Sequence, residues 1–147
     1  MIIGKVVKKV GDDISTDIIY PGRFMATILP SETLKYAFAD DKVFNEVLAK
    51  RQVPEGSIIF AGKNFGCGSS RQQAVSALKG HGLKIVAKSV ARIFMQNAID
   101  IGLSVIVCQK IEAEENDELD MTETKIINLR TGAHYAITPL TKTQKEV

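Results

Sequence analysis

The chain has 147 residues, 45% of them hydrophobic and 24% charged, which is typical of a globular protein and leads us to expect one domain over residues 1–147. No apolar run approaches the roughly 18 residues that a membrane-spanning helix needs, and the first residues do not resemble a signal peptide. We therefore expect a cytoplasmic protein without membrane contact.

Few side chains are available for a metal centre. The two cysteines, Cys67 and Cys108, and the two histidines, His81 and His134, are far apart in the sequence. An iron–sulfur cubane needs three or four thiolates, so this chain alone is expected to form no cluster, zinc site or disulfide framework. The net charge of +2 combines an acidic stretch at residues 111–124 with scattered bases elsewhere. That pattern suits an anionic ligand or an acidic partner, but it lacks the interleaved aromatic residues of a nucleic-acid-binding protein.

The first third of the chain predicts one strand and two helices. Imperfect alternation over residues 2–10, interrupted by lysines, indicates an edge strand, and residues 14–20 are predicted to form a loop with a short extended piece. One helix is expected to begin near residues 30–31, and another is expected after a cap at Asp40 or Asp41. Their expected apolar faces comprise Leu34, Ala37 and Phe38, and Val43, Phe44, Val47 and Leu48, respectively.

Three acids near the start could be mistaken for a calcium loop. Asp12, Asp13 and Asp17 are close in the sequence, but the glycine and the distal glutamate of an EF-hand are absent. Turn and capping roles are therefore favoured for all three.

The middle of the chain alternates between strand and helix patterns. Strands are predicted at residues 57–61, 83–87 and 103–107, separated by helices at residues 71–78, stopped by Gly80, and 90–99, closed by Gly102. This order predicts right-handed crossovers and a locally parallel sheet. The acidic stretch is expected to be a solvated excursion, and the last predicted elements are the two strands of a hairpin, at residues 125–129 and 133–137.

The sequence GKNFGCGSSRQQA, residues 62–74, joins the first of these buried strands to a helix. A glycine-rich turn at a helix start exposes unpaired backbone N–H groups at the positive end of the helix dipole, which favours an anion. Gly62, Gly66 and Gly68 would permit positive φ or close approach of a ligand. The guanidinium of Arg71 suits a carboxylate or a phosphate.

Several interpretations of this stretch remain open. It departs from both the Walker and the dinucleotide-binding glycine patterns, which weakens nucleotide binding. Cys67 could act as a nucleophile, although no base lies near it in sequence. A serine could act as a base if a guanidinium and backbone donors stabilise its alkoxide in a dry site. Alternatively, Ser69 and Ser70 only cap the helix and Arg71 only pairs with a surface acid.

Three segments, NFGCGSSRQQA, AKSVARIFMQNAIDIGL and GDDISTDIIYPGRF, resemble the small subunit of the isopropylmalate dehydratase and homoaconitase family, whose single-chain relatives are the aconitases. The resemblance covers nearly the whole chain, and the compact length is similar to the archaeal-type branch. It implies an α/β fold, namely a swivelling β/β/α domain with a mixed sheet and flanking helices. It also implies a large catalytic subunit as partner, carrying a [4Fe–4S] cluster, with no cofactor bound by this chain.

The family resemblance implies a hydro-lyase that is active only with its large subunit and acts on a small hydroxy-dicarboxylic acid through a cis-alkene. By position, Ser69 would be the base that removes the proton next to a carboxylate, and Arg71 would bind carboxylate and stabilise that serine as a base. Ser70 and Gly68 would contact substrate. The family's usual Glu-His after SSR is replaced by Gln72-Gln73, so two titratable groups are missing.

The resemblance places substrate specificity in a loop that here reads Phe24, Met25, Ala26 and Thr27. Relatives acting on a substrate with an extra carboxylate tend to have an arginine there, whereas this loop is small and apolar, and Arg23 is expected to brace it. An apolar loop cannot pair a buried carboxylate, so the variable group of the substrate is expected to be alkyl. The leading prediction is 3-isopropylmalate dehydration in leucine biosynthesis.

Other functions remain as alternatives. Small subunits for 2,3-dimethylmalate, methylmalate or homoaconitate are the nearest, because alkyl pockets discriminate by only about 1–3 kcal/mol per methylene. A stand-alone anion-binding module and a cysteine-dependent enzyme using Cys67 are more distant. Uncovered edge strands and an uncovered substrate face also favour self-association when the partner is absent.

Overall fold

The computed structural model describes residues 2–24, 33–50, 53–68 and 72–138. Its strands are β1 (Ile2–Lys9), β2 (Ile58–Ala61), β3 (Lys84–Ala87), β4 (Val105–Val107), β5 (Glu118–Met121), β6 (Lys125–Asn128) and β7 (His134–Ala136). Its α-helices are α1 (Thr16–Ile19), α2 (Lys42–Ala49), α3 (Gln72–Gly80) and α4 (Arg92–Ile101), and single 3₁₀ turns lie at Gly22–Phe24 and Leu34–Tyr36.

The strands form one mixed sheet in the order β4-β3-β2-β1-β5-β6-β7. Strands β1 to β4 are parallel, as expected for the crossovers through α3 and α4, and β5 to β7 are antiparallel. The two ends of the sheet curl toward each other and are joined by hydrogen bonds. Thr138 N donates to Val107 O at 2.8 Å, and the Cys108 thiol donates to Ala136 O at 3.2 Å. The α/β fold with a mixed sheet and flanking helices is confirmed.

Both faces of β2 and β3 are buried, which explains the continuous apolar sequences of these two strands. Along β2, Ile58 and Phe60 point into the curl of the sheet, while Ile59 and Ala61 pack under the helices. The cluster inside the curl comprises Val6, Ile58, Phe60, Val86, Cys108, Ile111, Ala113, Leu119, Met121 and Ile126. The helical layer contributes Phe44, Leu48, Ala74, Val75, Ala77, Leu78, Phe94 and Ala98 to the other cluster.

The prediction that the first strand is an edge strand is wrong. Strand β1 lies in the middle of the sheet, between β2 and β5. The two lysines at the end of the strand are tolerated there because their amines reach acids of other segments: Lys8 Nζ pairs with Asp41 at 2.6 Å and Lys9 Nζ with Glu114 at 2.9 Å. Lysines in a strand therefore did not identify an edge in this sheet.

The prediction that residues 111–124 are a solvated excursion is also wrong. Their second half contains β5, which pairs antiparallel with β1. Asp117 is 4% exposed, and it accepts hydrogen bonds from Arg130 Nε (2.6 Å), Asn128 Nδ2 (3.0 Å) and the Glu114 backbone N (2.8 Å). These donors, above all Arg130, hold the pKa of the Asp117 carboxyl well below its usual range. The acid is thus part of the fold and fixes the chain that leads into β5.

Two segments in the first third differ from the prediction. Residues 16–19 form α1 rather than a loop, because the Ser15 side chain accepts a hydrogen bond from Ile18 N and caps this single turn. The expected start of a helix near residues 30–31 lies outside the described residues. Within them, Thr33 is helical, Leu34–Tyr36 form the 3₁₀ turn, and Phe38 has a φ of +52°. Ala37 and Phe38 are nevertheless buried, as expected.

The remaining helix ends test the capping predictions. Asp41 caps α2 by accepting from Phe44 N at 3.2 Å, which confirms the cap, although Val43 is 77% exposed and does not belong to the apolar face. Gly102 ends α4 with a left-handed φ of +91°, also as predicted. Gly80 was expected to end α3 with a left-handed conformation, but it is the last residue of the helix itself.

A different constraint applies to Gly80. An added Cβ there would lie 2.2 Å from Leu34 Cδ2, so the glycine makes room for the 3₁₀ turn that packs on α3. The left-handed residue after α3 is Gly82, with a φ of +71°. The terminal hairpin, β6 with β7, is as predicted.

Candidate active site

The candidate site lies at the carboxyl edge of the parallel strands. There β1 leads into residues 10–15, β2 into the glycine-rich loop of residues 62–68, and β3 into residues 88–91. Helices α3 and α4 begin at this same edge, at Gln72 and Arg92. Open α/β sheets bind ligands outside the carboxyl ends of their strands, and helix amino termini there favour an anion.

The segment after β1 holds one side of the glycine-rich loop. Lys63 N donates to Asp12 Oδ1 at 2.7 Å, and Asn64 Nδ2 donates to Asp13 Oδ1 at 3.0 Å. Gly66 N donates to the carbonyl of Ile14 at 2.7 Å. These contacts connect residues about 50 positions apart in sequence, so the loop conformation depends on the tertiary fold.

The segment after β3 holds the other side of the loop. Asn64 N donates to Ser89 Oγ at 2.8 Å, and Phe65 N donates to the Ser89 carbonyl at 3.1 Å. The Ala91 backbone N donates to the carbonyl of Phe65 at 2.9 Å. Phe65 is fully buried and its ring packs edge-to-face on Phe94 of α4, with the centroids 5.3 Å apart. The loop is therefore fixed on both sides and from below.

The three loop glycines meet different requirements. Gly66 and Gly68 have positive φ, +79° and +92°, as expected. Gly62 instead needs space, since an added Cβ would lie 1.9 Å from Asp12 Oδ1. Beside Gly68, an added Cβ would be in ordinary van der Waals contact with Ser15 Cβ and Thr16 Oγ1, at 3.7 and 3.8 Å, and Gly68 itself is exposed. Ser69 follows Gly68 in the chain.

Only one of the three early aspartates has a local contact of the expected kind, whereas Asp12 and Asp13 bind a segment about 50 positions away. Asp12 and Asp13 accept from the glycine-rich loop, and Asp17 Oδ1 accepts from Gly22 N at 2.7 Å. Among the described residues no group of three or more His, Cys, Asp or Glu side chains could hold a metal ion.

The two cysteines offer little support for thiol chemistry or cluster ligation. Cys67 is partly exposed in the loop, and its carbonyl accepts from Thr16 N at 2.8 Å. His81 follows the far end of α3 and hydrogen-bonds the Leu34 carbonyl at 2.8 Å, while His134 lies in β7 beside Lys125. Cys108 is buried, and burial raises the pKa of its thiol. The structure does not bring either histidine to Cys67, because each belongs to a different part of the fold.

The second part of the candidate site is Phe24, the first residue of the predicted specificity loop. Phe24 is half-buried and stacks on Tyr36, with centroids 4.0 Å apart and rings 8° from parallel. Tyr20 Oη donates to the Phe24 carbonyl at 3.1 Å. Helix α1 joins the two parts of the site, because Thr16 at its start contacts Cys67 and Tyr20 at its end contacts Phe24.

Of the site residues predicted from sequence, the structure describes Gly68 and Phe24. The others lie outside the described residues: Met25, Ala26, Thr27, Ser69, Ser70 and Arg71. After them, α3 begins at Gln72, which is exposed, and Gln73, which is half-buried. The amino end of α3 therefore follows directly on the predicted catalytic residues.

Sequence reasoning missed the residues that support the loop. Ser89 and Asp12 form hydrogen bonds to it across long sequence separations, and no local pattern identifies such partners. Asp40 was considered only as a helix cap, yet it makes a two-bond ion pair with Arg23, at 3.1 and 2.5 Å. The expectation that Arg23 braces the chain next to Phe24 has this contact as its physical basis.

This curled mixed sheet, with a glycine-rich loop at its carboxyl edge, is the architecture of an aconitase swivel domain. The Aconitase C-terminal domain family matches residues 3–111, and the chain belongs to that family.

Named relatives refine this assignment. The chain is 43% identical over 143 residues to 3-isopropylmalate dehydratase small subunit 1 of Archaeoglobus fulgidus, covering 95% of this chain and 86% of the relative. It is 42% identical over 147 residues to the methanogen homoaconitase small subunit of Methanothermobacter thermautotrophicus, covering 94% of this chain and 80% of the relative. The crystal structure of 3-isopropylmalate dehydratase from Methanocaldococcus jannaschii superposes with a TM-score of 0.84 at 37% identity, covering 99% of this chain and 86% of that one.

The family assignment confirms the resemblance seen in the sequence motifs. Within the described residues, no helix has the length and apolar character needed to cross a membrane.

Proposed function

We propose that this chain is the small subunit of a heteromeric hydro-lyase that acts on a 2-alkylmalate, with 3-isopropylmalate as the leading substrate. The main observation is the glycine-rich loop, whose described part is held at the carboxyl edge of the sheet by hydrogen bonds with two other segments and precedes α3 in the chain. Such a loop favours a carboxylate. The named relatives, mostly 3-isopropylmalate dehydratase small subunits, support the same assignment.

The reaction would begin with proton removal. Ser69 Oγ takes the proton from the carbon next to a substrate carboxylate, the C–H electron pair forms the alkene, and hydroxide leaves the neighbouring carbon. Return of water with the opposite regiochemistry gives the isomer. Arg71 binds a carboxylate and stabilises the serine as a base, and Ser70 and the Gly68 backbone bind substrate.

The [4Fe–4S] cluster is assigned to a partner large subunit rather than to this chain. The described residues do not fit a cluster, because Cys108 is buried with its thiol hydrogen-bonded to the Ala136 carbonyl and Cys67 has no second thiol beside it. When bound to the partner, the cluster supplies the Lewis acid for the hydroxyl group. This chain contributes the base, the carboxylate contacts and the substrate-selecting loop.

The substrate's variable group is assigned to the loop of Phe24, Met25, Ala26 and Thr27. Its small apolar residues favour an alkyl group over a carboxylate. Homoaconitate hydration is the second candidate, because a methanogen homoaconitase small subunit is as similar as several of the isopropylmalate relatives. The single domain and a cytoplasmic location belong to the same proposal.

The decisive experiment combines the purified chain with its candidate large subunit under anaerobic conditions and follows alkene absorbance with a panel of 2-alkylmalates. We expect turnover by the reconstituted complex and none by this chain alone. Ser69→Ala should lower kcat about 10²- to 10⁴-fold, as expected for loss of a general base, without changing the circular dichroism spectrum.

Ser104→Ala is the matched control, since that serine is exposed beyond α4. Unchanged turnover by Ser69→Ala would leave Ser69 as a helix cap only. No turnover with any malate, from a complex that does form, would favour an anion-binding module. Loss of activity on mild alkylation of Cys67 would favour the cysteine-dependent enzyme. Light scattering of the chain without its partner tests the expected self-association.

A further inference from the structure

We propose that Arg23 and Asp40 are positioning residues that orient Phe24 for substrate selection. The inference rests on the proposed function, because Phe24 is the described member of the specificity loop. Neither Arg23 nor Asp40 is expected to touch substrate. Their contribution is to hold one aromatic ring in one orientation.

The ring of Phe24 is covered by two planar groups. Tyr36 stacks against it at 4.0 Å, almost parallel, and the guanidinium carbon of Arg23 lies 4.6 Å from its centroid. A guanidinium over an aromatic face is attracted by the ring quadrupole. The ring of Phe24 thus contacts both Tyr36 and Arg23, and its backbone carbonyl accepts a hydrogen bond from Tyr20 Oη.

Asp40 fixes the guanidinium that covers the ring. Arg23 Nη1 and Nη2 donate to the two carboxylate oxygens of Asp40, at 3.1 and 2.5 Å. This two-bond geometry defines the plane of the guanidinium as well as its position. The hydrogen bonds from Arg23 lower the pKa of the Asp40 carboxyl, in keeping with an ionised pair.

The ion pair is a poor candidate for a stabilising contact. The side chains of Arg23 and Asp40 are 57% and 61% exposed, and pairs with such exposure contribute little to folding because solvent screens them. The pair also joins two separate segments: residues 22–24, before the gap in the described residues, and residues 37–40, after it. Its geometric effect falls on Phe24, which packs at the margin of the core of the helical layer.

The activity test uses the reconstituted complex. Asp40→Asn keeps the size of the side chain but removes the ionic acceptor, while Asp40→Glu keeps the carboxylate. Glu46→Gln is the matched control, because Glu46 and Lys50 form a comparably exposed pair, at 64% and 59%, on α2. We expect Asp40→Asn to raise KM about three- to tenfold with kcat within twofold, from loss of an oriented cation–π contact.

The same variant should change the ratio of kcat/KM between two malates that differ only in their alkyl group. Asp40→Glu should have a KM close to the wild-type value, and Glu46→Gln should leave both kcat and KM unchanged. Equal effects of Asp40→Asn and Glu46→Gln, or a fall in kcat without a change in KM, would overturn the positioning role.

A second test does not depend on catalysis. The chain has no tryptophan, so Phe24→Trp introduces a single fluorescent reporter into the full chain. Adding Asp40→Asn should raise its acrylamide quenching constant by about half or more, because the covering cation is released, whereas adding Glu46→Gln should not. Identical quenching in the three proteins would refute the orientation of this ring by Arg23 and Asp40. If the complex proves inactive, the proposed function fails, while the quenching result still decides whether the pair orients residue 24.

Discussion

Replacing Gly66 by alanine tests whether the glycine-rich loop is set by packing as well as by backbone conformation. Gly66 has a φ of +79°, and an added Cβ would lie 2.3 Å from Phe94 Cγ and 2.6 Å from Phe94 Cβ. Phe94 is 2% exposed and packs edge-to-face on Phe65, so its ring cannot move without disturbing the helical layer.

The expected cost has two parts. A non-glycine residue in the left-handed region lowers the free energy of unfolding by about 1–2 kcal/mol. Forcing an extra methyl group into a packed core costs roughly 1–3 kcal/mol more. The free energy of unfolding should therefore fall by about 2–5 kcal/mol in the Gly66→Ala variant. Because the loop leads to Ser69, turnover in the complex should fall with it.

Gly132→Ala is the control, since Gly132 has a φ of +76° but no atom of the described residues within 4 Å of an added Cβ. Urea titration followed by circular dichroism should show only the backbone part of the cost there, about 1–2 kcal/mol. Phe94→Leu combined with Gly66→Ala should be less destabilising than the sum of the two single variants. Equal destabilisation by the two glycine variants, with additive behaviour toward Phe94→Leu, would refute the packing argument.

Three further predictions follow from the structure. In Asp117→Asn, Arg130 loses its ionic partner, and the free energy of unfolding at neutral pH should fall by about 1–2 kcal/mol. The expected effect is no larger because Arg130 is largely exposed and solvent screens the ion pair. Folding lowers the pKa of Asp117, so this stabilisation is complete above the unfolded pKa near 4 and is lost as the pH falls through the folded pKa. The free energies of unfolding of wild type and variant should therefore converge in acid. A difference that does not change with pH would contradict the assignment. Gly80→Ala should destabilise despite the higher helix propensity of alanine, by roughly 1 kcal/mol, because its Cβ meets Leu34; Gly80→Ala combined with Leu34→Ala should relieve that clash in urea titrations. Ala26→Arg should shift the ratio of kcat/KM toward substrates with an extra carboxylate, and an unchanged ratio would argue against the loop assignment.

Local sequence signals identified the elements whose partners are close along the chain. The β2-α3-β3-α4-β4 unit was predictable because apolar periodicity and glycine stops define each strand and helix, and short crossovers allow only a parallel, right-handed arrangement. Motif recognition likewise identified residues 62–74 as the candidate site. The catalytic roles of Ser69 and Arg71 came from that resemblance and remain predictions.

Contacts between distant residues were decided only by the tertiary structure. Strand β1 became central because residues 118–121 pair with it, and Val6 N donates to the Asp117 carbonyl at 2.8 Å across more than 100 positions. The acidic composition of that stretch suggested solvent exposure. Asp117 is bound by Asn128 and Arg130, which lie 11 and 13 positions away, too far for a local sequence pattern to reveal.

For this chain, the sequence by itself determined the family, the β2-α3-β3-α4-β4 unit and the position of the glycine-rich loop. The tertiary structure decided what holds that loop and the adjacent Phe24: Asp12 and Ser89 on the loop, and Tyr36 with the Arg23–Asp40 pair at the ring. The physical reason is that periodicity, caps and turn residues act within a few positions, whereas hydrogen bonds and ring contacts between segments exist only after the sheet has brought them together.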